Sequence, residues 1–232
     1  MSPVETAPEP ERGAPMTTPT PTPFHTTTTT SRTQGWAKLA GLGYAGAWVL
    51  GLVAFGGGPG LSASAEQVDA YFAGHRTVSA VQGVLIHGIA ATALLAVVVA
   101  IGHRGVLTRP ARFGGATAVG LSFIQCGLDL WRSLLSTGAT TVSLVHVIDR
   151  IDGLKMLALA LMIGTSVSVF RAAALIGTKM AVTGWVATVA LGLSGVGYVL
   201  ANTALAVVAN LSLVLLLIWI AYSGVAVARS SR

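Results

Sequence analysis

Six apolar runs succeed one another along this chain, each long enough, at about 20 residues, for an α-helix to cross a bilayer. They cover Trp36–Phe55, Val78–Ile101, Phe113–Ser133, His146–Phe170, Ala181–Leu200 and Thr203–Ala226. Only 9% of the 232 residues are charged, against about 25% in an ordinary soluble domain. So few charges cannot cover a water-facing surface, and the solvent of this chain is lipid. In lipid each segment must satisfy its own backbone amides, and runs of this length do so as helices. The expected fold is an all-α, polytopic bundle of six transmembrane helices occupying residues 35–229. The net charge of +6 is spread over short connectors, a distribution that argues against nucleic acid as a partner. Cys126, the single cysteine, excludes an internal disulfide and a thiolate metal cage.

Lys and Arg set the expected orientation. Arg32 and Lys38 precede the first run, and Arg104, Arg109 and Arg112 separate the second from the third. Arg171 and Lys179 lie between the fourth and fifth, and Arg229 and Arg232 follow the sixth, whereas the alternate connectors hold Arg76 alone. The basic connectors fall on one side, so both termini are expected in the cytoplasm. Residues 1–34 are rich in Pro and Thr, carry no apolar period, and are expected to be a disordered cytoplasmic tail. Gly43, Ala47 and Gly51 recur every four residues in the first run and offer a smooth face for helix packing.

The first outer connector has its own pattern. After Gly56-Gly57-Gly58-Pro59-Gly60, Ser64 and Gln67 stand at capping-box spacing, and Val68, Tyr71 and Phe72 share one face. A short amphipathic helix over about 64–76, lying at the outer interface, is expected. The segment Ser64-Ala65-Glu66 through Tyr71-Phe72-Ala73-Gly74-His75-Arg76, running straight into a span, resembles a family of small bacterial six-span integral membrane proteins of unassigned function. That resemblance implies a multi-pass protein of the bacterial cell membrane and supplies no catalytic residues.

The third and fourth runs carry most of the ionisable groups found at membrane depth. Asp129, Arg132, His146, Asp149, Arg150, Asp152 and Lys155 lie between long apolar stretches, where charge is costly and marks function or deliberate pairing. In a hairpin turning near Val142, Asp129 falls level with Lys155, and Arg132 with Asp152. Three carboxylates against three bases make the group neutral. The first reading is therefore an ion-pair ladder; a solute or proton pathway is the second, and a metal or cofactor site the third. His146, Asp149 and Asp152 have H-x-x-D-x-x-D spacing, but steps of three drift around a helix and no metal is predicted. Gln82 and His87 in the second run, Gln125 in the third and Asn210 in the sixth share the same outer half. Interhelical hydrogen bonding is the plain reading of Gln125 and Asn210.

His87 and His146, on different helices, could in principle act as axial haem ligands if they face each other, and no cofactor is otherwise expected. No nucleophile triad or phosphate-cradling glycine loop is present. The expected function is a non-enzymatic envelope or partner-binding role, with a membrane-protein partner or a second copy as its associate. The alternatives are a small-solute or proton-coupled transporter using His87, Asp129 and Asp152, and a haem or metal protein.

Overall fold

The computed structural model describes residues 29–229, with side chains from residue 35. The Pro- and Thr-rich tail lies, up to residue 28, outside the described residues, and α1 already begins at Thr29. The helices are α1 Thr29–Phe55, α2 Ala65–Gly74, α3 Arg76–Gly83, α4 Ala90–His103, α5 Arg109–Leu134, α6 Ala139–Ala172, α7 Thr178–Val199, α8 Thr203–Ala206 and α9 Ala209–Arg229. A π-helical segment, Val84–Ile89, joins α3 to α4 without a break. The described residues form no strand. Six of these stretches are long and apolar enough to cross a membrane: α1, α3 through α4, α5, α6, α7, and α8 with α9. The chain is a multi-pass membrane protein by this measure. Val53, Phe113, Ile124, Val189 and Val214 point outward, as side chains solvated by acyl tails do.

Short connectors place successive spans side by side. Each packs on the next, and α9 returns to α1, closing a ring in chain order. Small residues let the ring tighten. A Cβ on Gly153 of α6 would meet the Gly195 carbonyl oxygen of α7 at 2.7 Å, and one on Gly195 would meet the Gly153 oxygen at 2.8 Å. Gly41 and Gly224 bring α1 against α9 in the same way. The smooth face expected from Gly43, Ala47 and Gly51 is corrected at its first member. Gly43 faces open space, and Gly41, Tyr44, Ala47 and Gly51 turn inward, because 3.6 residues per turn displaces a strict four-residue row.

The two ends of the ring differ. Toward the termini the interior is apolar: Phe170 stacks on Trp219 with centroids 6.1 Å apart, and Leu94, Leu159, Ile163 and Leu191 fill the space around them. Gly184 leaves room for the Trp219 ring, whose Cζ3 lies 2.5 Å from where a Cβ would stand. Toward the other end the interior turns polar, and α2 lies across it. Ser64 caps α2 in a full capping box with Gln67 and donates at 2.7 Å to Glu66. That bond holds the exposed Glu66 carboxyl below its ordinary range. Asp69 of α2 accepts the Gly138 backbone N–H at 2.8 Å, tying α2 to the turn between α5 and α6.

That turn corrects the expected register. The polar run at 136–143 divides: Ser136 to Gly138 make the turn, with Gly138 at φ +54°, while residues 139–143 open α6. The Thr141 hydroxyl satisfies itself on Ser136 Oγ at 2.9 Å, so a loop-like composition is tolerated in helix. The turn centres on Thr137 rather than Val142, and the residue opposite any position moves by about ten, close to three helical turns.

Gly153→Leu and Gly195→Leu should each lower stability in detergent by about 1–3 kcal/mol through overpacking. Gly192→Ala, at a position facing open space, should leave thermal unfolding unchanged.

Candidate functional site

The polar half of the ring is built around a residue on the π-helical segment. Six residues, Val84–Ile89, adopt this wider turn, a feature frequent at functional sites, and it carries His87 inward. Just before it, Gly83 permits contact with α5, since a Cβ there would stand 2.8 Å from Asp129 Cβ. His87 Nε2 lies 3.4 Å from Asp129 Oδ2, and His87 Nδ1 lies 3.3 Å from Lys155 Nζ on α6. An ammonium only donates, so Nδ1 accepts and Nε2 carries its proton toward Asp129.

Asp129, Arg132, Asp152 and Lys155 each have a close partner, and these ion pairs run along helices rather than between them. Arg132 Nη2 meets Asp129 Oδ1 at 2.7 Å within α5, and Lys155 Nζ meets Asp152 Oδ1 at 2.5 Å within α6. The cross-helix pairs expected from the hairpin, Asp129 with Lys155 and Arg132 with Asp152, do not form. The shifted turn removes their register. The helices are joined instead by neutral groups. Gln125, fully buried, donates from Nε2 to Asp152 Oδ1 at 3.2 Å and to the Ile148 carbonyl at 3.3 Å. It accepts from Lys155 at 2.7 Å. Gln125 and His87 thus weld two intrahelical pairs into one network across three spans. Lys155 and Asp129 are 4% and 3% exposed, and such burial is tolerable because both are paired and hydrogen-bonded.

A cavity of about 220 Å³ opens onto this network. Asp129, Arg132, Asp149, Asp152, His87 and Gln125 line it, with Trp48 and Tyr198 on its walls and Pro59, Tyr71 and Phe72 at its rim. The Arg132 guanidinium lies 4.0 Å from the centre of the Phe72 ring, so α2 is attached to the network it covers. Lys155 Nζ sits 5.6 Å from the Trp48 ring centre. Gln82 also lines the cavity and ends α1, donating to the carbonyls of Gly56 at 2.6 Å and Gly51 at 3.2 Å.

Three expected members stand apart. His146 and Asn210 are both exposed. Arg150 is exposed and donates to the Val199 carbonyl at 3.1 Å, closing the end of α7. Both nitrogens of His87 are engaged by Asp129 and Lys155, and His146 lies on an outward face, so the haem pairing has no geometric support. Among the described residues no group of three His, Cys, Asp or Glu side chains is placed to hold a metal ion. Gln125 plays the interhelical hydrogen-bonding part read for it from the sequence, whereas Trp48, Phe72 and Tyr198 are not marked as site residues by the sequence. Aromatic side chains are common in helix interfaces, and their signal is positional.

Compared with known proteins, the chain matches no family model, no curated protein and no solved structure.

A double-mutant cycle on Asp129 and Arg132, read by unfolding in detergent, should show coupling of about 1–3 kcal/mol. The cycle on Arg132 and Asp152, which share no direct contact and are joined only through the network, should show a smaller coupling than the first. A larger coupling in the second pair than in the first would overturn this network.

Proposed function

We propose that this chain is a non-enzymatic protein of the bacterial cell membrane, with both termini in the cytoplasm, that admits a small polar solute to an outward-facing cavity and couples its passage to a proton. The orientation is supported by the basic connectors, which gather at the end carrying the termini. The cavity and α2 then face out.

One observation carries the transport reading. Asp129, His87, Lys155 and Asp152 touch in succession, with Lys155 set behind the cavity wall that the other three line. Chains of Asp, Glu and His at membrane depth mark proton relays in pumps and transporters, and Asp129 and His87 are such a pair in contact. Behind Lys155 a small void of about 20 Å³, bounded by Tyr44, Leu159 and Ser212, continues inward, room for one water molecule. The apolar layer of Phe170 and Trp219 closes the way beyond. Open at one end and sealed at the other is the shape that alternating access requires of one of its states. An envelope component that binds a protein partner would need an outer surface and no such interior.

Orientation is tested by impermeant maleimide on intact cells, in a Cys126→Ser background. Gly60→Cys should label and Arg109→Cys should not; the reverse pattern overturns the topology. Transport is tested in proteoliposomes enclosing a pH-sensitive dye, challenged with small amines, amino acids and carboxylates. At least one solute should change the internal pH, and His87→Gln and Asp129→Asn should abolish the change. Flat traces for every solute would sink the transport reading.

A further inference from the structure

The solute's chemical class is legible in what the cavity leaves unpaired. Of the three carboxylates on its wall, Asp129 is held by Arg132 and His87, and Asp152 by Lys155 and Gln125. Asp149, half-buried on the same wall, has no hydrogen-bond or ion-pair partner among the described residues. Arg150, which balances it in a count along the sequence, is turned away to the Val199 carbonyl. Three carboxylates against Arg132 and Lys155 leave one negative charge in excess around a neutral His87. A second observation narrows the class further. Of the four aromatic rings lining the cavity, all but Tyr198 already hold a cation or stack: Arg132 covers Phe72, Lys155 lies over Trp48, and Tyr71 stacks on His75 with centroids 4.5 Å apart. A quaternary ammonium, which is recognised by several ring faces together, finds no cage there. A cation bearing N–H groups finds a carboxylate acceptor and space of about 220 Å³, far more than a bare ion fills.

We propose that the cavity binds a small protonated amine, with Asp149 receiving its N–H groups as the counter-charge. This rests on the reading of the cavity as a solute site and specifies the solute's chemistry. Asp149 makes no hydrogen bond or ion pair among the described residues, so its side chain is available to a ligand and replaceable without breaking either.

The experiment is equilibrium binding to the full chain in detergent, by calorimetry and by the shift in Tm, with n-butylammonium, tetramethylammonium and butyrate as probes. Butylammonium should bind and raise Tm, and the other two should not. Asp149→Asn should keep the Tm of the unliganded protein and weaken butylammonium binding by roughly tenfold or more, the loss of a charge-assisted hydrogen bond. Binding of butyrate or tetramethylammonium in preference would overturn the amine assignment and leave a solute cavity standing. Amine binding unchanged in Asp149→Asn would overturn the role of Asp149. Failure of all three probes would overturn the amine assignment, whereas the solute reading falls only with flat proteoliposome traces.

Discussion

A Lys ammonium that lipid prevents from reaching water must be met by charge and hydrogen-bond acceptors inside the protein, and the polar half of this bundle is arranged by that requirement. Lys155 finds Asp152 one turn away, Gln125 across the α5–α6 contact and His87 from the π-helical segment. Removing any one of these would strand a group in low dielectric, where desolvation is not recovered elsewhere. Three helices are therefore held in one relative position by polar contacts that a purely apolar interface would not specify.

The glycines make that arrangement reachable. Hydrogen bonds of about 3 Å between side chains on different helices demand close backbones, and Gly83 supplies this at Asp129 while Gly153 and Gly195 do so between α6 and α7. The π-helical segment then offsets His87 from the position a regular helix would give it. Small residues and an irregular turn place the histidine, and the charges hold what they place.

The same network explains why the two ends of the ring differ. Where Phe170 and Trp219 meet, no polar group requires satisfaction, and side chains close the interior. Around Asp129 and Asp152 the ionised groups keep their distance from apolar filling, and a cavity remains. α2 covers it through Asp69 on the α5–α6 turn and Phe72 beneath Arg132. Val68 and Phe72 are buried beneath it, so the cover is packed onto the interior it shields.

Much of the architecture is written in the chain. Apolar length dictates six spans because lipid offers backbone amides no partner, and the Ser64–Gln67 spacing announces α2 because capping is local. His87, Asp129, Asp152 and Lys155 stand out for their composition alone. What the sequence could not convey is which charge meets which. The α5–α6 turn lies at Thr137 because Thr141 and Ser136 satisfy each other's hydroxyls, a contact invisible to composition, and every cross-helix pairing depends on that position. Arg150, Asp149 and His146 are similar neighbours in sequence, yet one caps a helix, one faces the cavity and one faces outward. Helical rotation at 3.6 residues per turn separates them, and only the packing of α6 against α5 and α7 decides which direction is inside.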